Sequence, residues 1–518
     1  MALQIPFDSR LTDAFARLPD YLGSHVLVSM TAMALGLGVS LPLAVFALRR
    51  PMLRAALLGA AGVIQTIPGL ALLTLFYPLL LALSALTGAV LGFEFSALGF
   101  LPSVLALALY SMLPVLRNTI TGLTGVPRGV QEAARALGLS RAKAFLLVDL
   151  PIAMPVVMAG IRTATVWVIG TATLSTPIGQ TSLGNYIFAG LQTQNWVFVL
   201  FGCVAAALLA LIVDRCLAAM ESGVARRNHR RVFLGAGALA LIVLAALAPD
   251  LGRTQARYSI GAKTFTEQYV LAALIEQRLA AAGLSATRRE GLGSTVAFNA
   301  LAADEIDAYV DYSGTIWANL MGRKDVKPRG EALAELGAWL KDTHGITLVG
   351  SLGFENAYAL AMSRTRAQAL GIRSIADLVR HAPDLSIAGD YEFFARPEWK
   401  ALQQAYGLRF KSQQQMQAEF MYPAAEDGQV DVITAFSSEG LIAKHDLVVL
   451  DDPKQALPPY DAVLMVSPAR TSDRKFIAAL KPLVGRIDIE TMREANLRAS
   501  NGAVPDDVAR WLWKQIGR

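Results

Sequence analysis

Long apolar runs fill the sequence up to about Ala248 and then give way to a more charged second half. A helix crosses the hydrocarbon core of a bilayer with about 20 apolar residues, and runs of about that length recur along the first half. Five predicted spans form one membrane domain: His25–Leu48, one crossing within 55–97, Leu98–Leu116, Pro155–Leu174 and Val197–Val213. A sixth span, Val232–Ala248, is an extra helix that follows this domain. The first half is therefore predicted to be an all-α transmembrane domain.

Composition narrows the class of protein. Of the 518 residues, 54% are hydrophobic and only 17% are charged, with a net charge of +6. Lys and Arg in the loops between spans account for this positive charge better than nucleic-acid binding, for which no motif is visible. Both cysteines, Cys203 and Cys216, lie in or beside one span. The second half can therefore build neither a disulfide nor a cysteine-based metal site.

Basic clusters set the predicted orientation. The first span is followed by three arginines within 49–54, and such clusters stay in the cytoplasm. The same rule places 125–155 and 215–231 in the cytoplasm, so everything after Pro249 lies outside it. Met1–Ser24 is predicted to lie at the membrane interface, and it lacks the basic start of a cleaved signal peptide.

The apolar stretch 55–97 is broken at Ile67–Gly69. The orientation requires an odd number of crossings here, and three crossings would need about 60 residues. We expect one crossing followed by a second apolar piece that folds back or lies shallow in the membrane.

The segment Gly125–Pro155 is polar and basic although it lies between two spans. Its EAARALG stretch is rich in helix formers, Gly138 is expected to loosen or end that helix, and a second short helix, Ala142–Leu150, is expected to stop at Pro151. Two short helices with a bend would form a docking surface on the membrane face. On composition alone, an ordinary basic cytoplasmic loop remains an alternative.

The second half alternates strands and helices. Tyr258–Gly261, alternate residues from Ile306 to Val310, and Asp431–Thr434 are among the predicted strands, and Thr264 with Glu267 can form a capping box at the start of a helix. This alternation predicts parallel α/β sheets. About 260 residues would form two lobes. The predicted divisions are: membrane domain 1–231, extra helix and linker 232–256, soluble domain 257–518, first lobe 258–362 with 463–518, second lobe 363–462.

The spacing within Gly125–Pro155 resembles the EAA loop of ABC-importer permeases. The matching residues are Glu132, Ala133, Ala134, Gly138, Leu150 and Pro151, with Val148 in place of the family's Ile. This resemblance implies that the loop is a coupling helix that docks on a separate ATPase subunit. It also implies a permease homodimer in a bacterial cytoplasmic membrane, because five helices form half a pore.

The second half resembles the binding proteins of the glycine betaine/carnitine/choline (osmoprotectant) class. The matching motifs are Gly261–Gln268, Gly293–Thr295, Asp311–Thr315, Phe354–Tyr358 and Pro458–Asp461. The resemblance implies an α/β two-lobed periplasmic-binding-protein domain of type II, outside the cytoplasm. It also implies capture and uptake of a solute that carries a trimethylammonium group: glycine betaine, choline, carnitine or an ergothioneine-like compound.

A quaternary ammonium ion cannot donate hydrogen bonds and is held best by aromatic faces. By resemblance, the cage positions are Tyr312, Tyr358, Tyr422 and Phe436, where many relatives have Tyr at the last position. Gln268 and Thr315 match polar ligand contacts. Tyr312 and Tyr358 are predicted in the first lobe, and Tyr422 and Phe436 in the second. Any one of these tyrosines alone could equally serve packing.

No catalytic set, cofactor site or metal site is predicted. The sequence G-x-x-x-x-G-K-[ST] is absent, so ATP hydrolysis is expected on a partner chain and not on this one. Two alternatives remain beside the quaternary-ammonium importer. One is an importer for another small solute such as an amino acid. The other is a membrane-tethered sensor, which would need a cytoplasmic output domain, whereas no predicted cytoplasmic segment exceeds about thirty residues.

Overall fold

The computed structural model describes residues 7–92, 95–192, 195–226, 228–251, 257–323, 325, 327–390, 393–457 and 459–517. Two compact units divide the chain. One consists of Leu11–Phe188 and Val197–Gln255, and the other is built mainly on Ala256–Arg518. Residues 252–256 of the predicted linker and Pro458 of the last predicted motif lie outside the described residues.

The first unit is helical throughout. Its helices are α1 Phe7–Ala47, α2 Pro51–Thr66, α3 Gly69–Leu91, α4 Phe100–Thr124, α5 Arg128–Ala136, α6 Arg141–Ala144, α7 Leu150–Thr171, α8 Gly184–Gln192, α9 Trp196–Ala225 and α10 His229–Leu251.

Six helical runs in the described part of the chain are long and apolar enough to cross a membrane. They are Arg10–Ala47, Gly69–Leu91, Phe100–Thr124, Arg141–Ile178, Trp196–Ala225 and His229–Leu247. This agrees with the six predicted spans. The first helix is longer than predicted, because α1 continues through the described residues of the segment assigned to the interface.

The stretch 55–97 differs from the prediction in its order. The break at Ile67 and Pro68 is present, but the 16-residue helix α2 precedes it and the 23-residue helix α3 follows it. The helix long enough to span is therefore the second piece, and the short piece comes first. Pro68 at the N-cap of α3 has no N–H to donate, which explains a helix start at this position.

The segment 125–155 bends at Gly138 as predicted, but the second helix does not stop at Pro151. One helical run extends from Arg141 to Ile178, with a π-helical turn at Phe145–Asp149 before α7. Pro151 follows this π-helical turn directly. A proline has no N–H for the preceding turn, and the altered hydrogen-bond pattern of the π-helical turn accommodates it within a continuous helix.

The second unit contains ten strands and twelve α-helices among its described residues. In chain order they are β1 Tyr258–Lys263, α11 Thr266–Ala281, β2 Ala286–Leu292, α12 Ser294–Ala302, β3 Ala308–Tyr312, α13 Ser313–Thr315, α14 Arg329–His344, β4 Thr347–Glu355, β5 Tyr358–Ser363, α15 Arg364–Leu370, α16 Ile375–Leu378, β6 Ser386–Gly389, α17 Pro397–Tyr406, β7 Ser412–Gln415, α18 Ala418–Glu426, β8 Val432–Phe436, α19 Leu441–Lys444, β9 Leu447–Val449, β10 Asp461–Val466, α20 Arg474–Leu480, α21 Ile489–Ser500 and α22 Pro505–Ile516.

These strands form two five-stranded sheets, in the orders β2-β1-β3-β10-β4 and β7-β6-β8-β5-β9. The prediction of parallel sheets is only partly right. In the first sheet β1 pairs in parallel with β2 and β3, whereas β10 runs antiparallel to β3 and β4. In the second sheet β5 runs antiparallel to β8 and β9. Both antiparallel strands, β5 and β10, follow a passage of the chain from one sheet to the other, which reverses the strand direction.

The positions of these passages correct the predicted lobe boundary. The chain leaves the first sheet after β4 and enters the second with β5, so the passage lies at Asn356 and Ala357 rather than near residue 362. Tyr358 therefore belongs to the second lobe and not to the first. The return passage precedes Asp461, the first residue of β10.

Candidate functional site

Aromatic rings from the two lobes gather around Tyr358. Tyr358 on β5 lies directly opposite Phe436 on β8, and their ring centroids are 4.7 Å apart. The rings of Phe393 and Tyr460 lie 5.2 and 5.8 Å from that of Tyr358. Phe265, which precedes α11 in the first lobe, has its ring 6.2 Å from Phe436. We call these five residues the ring cluster.

Tyr460, which lies just before the chain returns to the first sheet, is fixed by a hydrogen bond and by close packing. The Tyr460 hydroxyl donates to the buried carboxylate of Glu398, and burial is the main reason why the pKa of Tyr460 lies well above its ordinary value. Its ring packs against the backbone of Gly314, where an added Cβ would lie 2.6 Å from a ring carbon. Gly314 in the Asp311–Thr315 motif is thus required by the close approach of Tyr460.

Tyr312 belongs to a buried polar network centred on Glu267. Its hydroxyl donates to Glu267 and accepts from the amide of Gln268 at 3.1 Å. The side-chain amides of Asn356 and Asn496 also donate to Glu267, at 3.2 and 2.7 Å. Asn356 lies in the passage between the sheets, so this network joins α11 and β3 of the first lobe to that passage.

Glu267 does not form the predicted capping box. Helix α11 begins at Thr266 with Phe265 as its N-cap residue, and no side-chain hydrogen bond caps it. Glu267 is instead 3% exposed and turned into the protein. Burial raises the pKa of its carboxyl above the ordinary value, although four hydrogen-bonding neighbours oppose that shift.

Two basic side chains already lie over faces of the predicted cage tyrosines. The Nζ atom of Lys263 is 5.2 Å from the ring centroid of Tyr312, and Lys263 forms a buried ion pair with Asp311. The guanidinium carbon of Arg396 is 5.2 Å from the ring centroid of Tyr358, and its Nε lies 3.5 Å from Glu398. These are cation–π distances, so each of the two rings already has one of the protein's own cations over a face.

One predicted cage residue packs in a different core from the ring cluster. Tyr422 on α18 packs in a separate core of the second lobe with Met421 and Ala425, and its ring stacks on that of His445 at 6.4 Å. Thr315 is half-buried at the end of α13. The structure therefore brings together Tyr358 and Phe436 in one group, and Tyr312 and Gln268 in another.

Sequence reasoning missed several residues of the site. Lys263 and Tyr460 lie inside motifs that were recognised, so their positions carried a signal. Phe265 lies in the same motif as Lys263. Phe393 and Arg396 lie in a stretch without a recognised motif, and the path of the chain after β6 places them beside Tyr358.

The predicted coupling residues lie on α5, on the bend that follows it and at the start of α7. Glu132 and Ala133 are exposed, whereas Ala134 is 4% exposed. Gly138 has a φ of +73°, in the left-handed region. Leu150 and Pro151 begin α7. The same segment exposes large apolar side chains, namely Leu137, Leu146 and Leu147, as a protein-docking surface would.

Comparison with known proteins identifies both halves. Residues 256–515 match the family model of the substrate binding domain of ABC-type glycine betaine transport systems. Residues 36–226 match that of the inner membrane component of binding-protein-dependent transport systems. The chain belongs to both families. It is an ABC-importer permease fused to a substrate-binding domain, which confirms the predicted resemblance and fold class.

Relatives of this fused importer cover one or both halves. The ergothioneine transport permease/ergothioneine binding protein EgtU of Helicobacter pylori strain G27 is 28% identical over 87% of this chain and 82% of its own. The permease OpuCB of the glycine betaine/carnitine/choline system of Bacillus subtilis strain 168 is 38% identical over 38% of this chain and 84% of its own. A solved glycine betaine/carnitine/choline ABC transporter structure is 26% identical, covers 50% of this chain and 97% of its own, and has a TM-score of 0.46.

Proposed function

We propose that this importer captures a zwitterion that carries both a trimethylammonium group and a carboxylate. The arrangement of Arg396 over the ring of Tyr358 carries the proposal. Aromatic faces bind a quaternary ammonium ion, which cannot donate hydrogen bonds. A guanidinium has five N–H donors and binds carboxylates in a planar, two-bonded geometry. Tyr358 and Phe436 would hold the ammonium end, and Arg396 would turn from its present position to the carboxylate end.

Ergothioneine is the first ligand to test. It carries both groups, and it appears in the name of the relative that matches most of this chain. Glycine betaine and carnitine also carry both groups. Choline has the trimethylammonium group but no carboxylate, so it separates the contribution of Arg396 from that of the rings.

The proposed site has residues from both lobes, so ligand binding can change the arrangement of the lobes. Tyr312 comes from the first sheet and Tyr358 from the second. Tyr422 and Thr315, predicted as ligand contacts, would take part only if the lobes or loops rearranged. A ligand that touches both lobes favours their closed arrangement by its differential contacts. Closure would then be the signal to the permease.

The proposed assembly has two copies of this chain and a separate ATPase subunit in a bacterial cytoplasmic membrane, with the substrate-binding domain outside. The support is the permease family match, the exposed leucines of the coupling segment and the absence of a P-loop from the sequence. The permease match also favours an importer over a tethered sensor.

Calorimetry on the full chain in lipid nanodiscs tests the ligand class. We expect ergothioneine, glycine betaine or carnitine to bind at least about tenfold more tightly than choline, because choline leaves Arg396 without a carboxylate partner. Equal or tighter binding of choline would remove the role of Arg396. Preference for proline or another solute without a quaternary nitrogen would replace the proposal with an amino-acid importer.

A further inference from the structure

The exposed face of α7 differs from the exposed faces of its neighbours. Helices α3 and α9 expose mainly large aliphatic residues, such as Leu79 and Leu86 on α3 and Leu208 and Ile212 on α9. That composition suits lipid. On α7 the second half of the helix exposes small, polar or aromatic residues, namely Ala159, Thr163, Trp167 and Gly170, together with the aliphatic Val166. They recur every three or four residues and so share one face.

Trp167 is the largest side chain on this face, and it is 55% exposed. Tryptophans of membrane helices concentrate at the two lipid–water interfaces. Within the predicted span Pro155–Leu174, Trp167 has 12 residues before it and seven after it, so about 10 Å of helix separates it from the nearer end. Thr163 and Thr171 lie one turn to either side, and their hydroxyls donate to helix carbonyls at 2.9 and 2.7 Å. The polar oxygens thus flank the indole.

An ion cluster borders this face. Arg162, next in the chain to Thr163, forms two hydrogen bonds to Asp214 at 2.9 and 3.0 Å and one to Glu221 at 2.8 Å. The three side chains are 23–31% exposed, and with two carboxylates to one guanidinium the cluster carries a net charge of −1. Arg162 lies within the predicted span Pro155–Leu174, whereas Asp214 and Glu221 follow the cytoplasmic end of the predicted span Val197–Val213, so the cluster lies toward the cytoplasmic side of this face. A net negative cluster also favours an approaching cation.

We propose that Trp167 is a transit site in the translocation path, where the quaternary ammonium group of the transported solute passes over the indole face. The indole is the side chain that binds such a cation best. The site rests on the proposed function for the identity of the solute. Trp167 also belongs to the helical run that begins at Arg141 in the coupling segment, so a movement of that segment is carried to the indole by a continuous helix.

Thiol labelling in the native host tests whether position 167 faces the path. The probe is 2-(trimethylammonium)ethyl methanethiosulfonate, which is itself a quaternary ammonium ion and reacts in water. Trp167→Cys is placed in a chain with Cys203→Ala and Cys216→Ala. The control chain keeps only Cys203, which is exposed on α9 among lipid-facing residues. We expect labelling at 167 in cells supplied with the transported solute and none at 203. A thiol at 167 as unreactive as Cys203, while Ser285→Cys is labelled, would overturn the proposal.

Uptake by substituted chains gives the second test. Trp167→Leu is expected to lower the maximal uptake rate about tenfold, and Trp167→Phe to retain most of it, because a phenyl face still binds a cation. Trp196→Leu is the matched control, since Trp196 is also 55% exposed but begins α9. Ligand affinity measured by calorimetry should stay unchanged in all three. Normal uptake by Trp167→Leu would refute the transit site, whereas failure of the wild-type chain to bind any trimethylammonium ligand would refute the proposed function itself.

Discussion

At the scale of single residues, the face of Tyr358 matters more than its hydroxyl. The hydroxyl lies 3.5 Å from Asp390, at the long end of hydrogen-bond distances, whereas the ring contacts Phe436, Phe393 and Tyr460. We expect Tyr358→Ala to weaken a trimethylammonium ligand ten- to thirtyfold, or about 1–2 kcal/mol. Tyr358→Phe should retain most of the affinity. The measurement is calorimetry, and an alanine variant with wild-type affinity would exclude Tyr358 from the site.

Tyr422→Ala provides the comparison for Tyr358→Ala. Its ring stacks on His445 in the core of the second lobe, so its removal should lower the melting temperature. If Tyr422→Ala also weakens the trimethylammonium ligand more than its dimethylamine analogue, the cage predicted from the resemblance includes Tyr422. If affinity is kept in the folded variant, the residue serves packing.

Glu267 should make stability depend on pH. Because its pKa in the folded protein lies above the ordinary value of 4.5, the folded state holds a proton that the unfolded state releases as the pH rises past 4.5. The free energy of unfolding therefore falls from about pH 4.5 upward, until the folded carboxyl also ionises. The side chain of Glu267→Gln cannot ionise. As the pH rises through this range, the free energy of unfolding of the variant should therefore increase relative to that of the wild type. Parallel melting-temperature curves for the two proteins would contradict the shift.

Motifs with several fixed positions led to the prediction of Tyr312, Gln268 and Tyr358 as ligand contacts, and that role stays a prediction. The sheet to which Tyr358 belongs was predicted wrongly, because strand pairing depends on where the chain passes between lobes and not on the local pattern. Arg396 could not be predicted at all. Its place over Tyr358 depends on the fold of the second lobe, which brings residues far apart in the sequence together.

At the scale of elements, the bend between α5 and α6 depends on Gly138. An added Cβ there would meet no atom within 4 Å, so the cost of substitution comes from the φ of +73°. A β-branched residue is strained in this region. We expect Gly138→Val to lower uptake and ligand-stimulated ATP hydrolysis and to leave ligand affinity unchanged.

Gly129→Val is the control for Gly138→Val. Gly129 lies in the same segment with equally open space, but within helix α5, where its φ is ordinary. Uptake by Gly129→Val should stay near wild type. Equal uptake by both variants, at equal expression, would remove the coupling role of the bend.

Helix boundaries in this segment show the limit of local rules. Pro151 was expected to stop a helix. The helical run instead continues through it, directly after the π-helical turn Phe145–Asp149. The sequence marks the proline but not the altered hydrogen-bond pattern before it, which allows the helix to continue without the missing N–H.

At the scale of the whole molecule, the proposed orientation has a direct test. Ser140 on the coupling segment and Ser285 in the substrate-binding domain are both exposed. In a chain with Cys203→Ala and Cys216→Ala, Ser140→Cys and Ser285→Cys should react with an impermeant thiol reagent from opposite sides of the membrane. Reaction of both from one side would refute the topology.

The fusion of the two families in one polypeptide fixes the ratio of binding domains to permease domains. When the two are separate chains, gene expression sets that ratio. A cell that makes this protein makes one receptor for each permease domain, so no surplus of empty receptors can occupy the permease and compete with loaded ones. The external concentration that half-saturates uptake is then a property of the molecule. Making more copies would raise the maximal uptake rate and leave the half-saturating concentration unchanged.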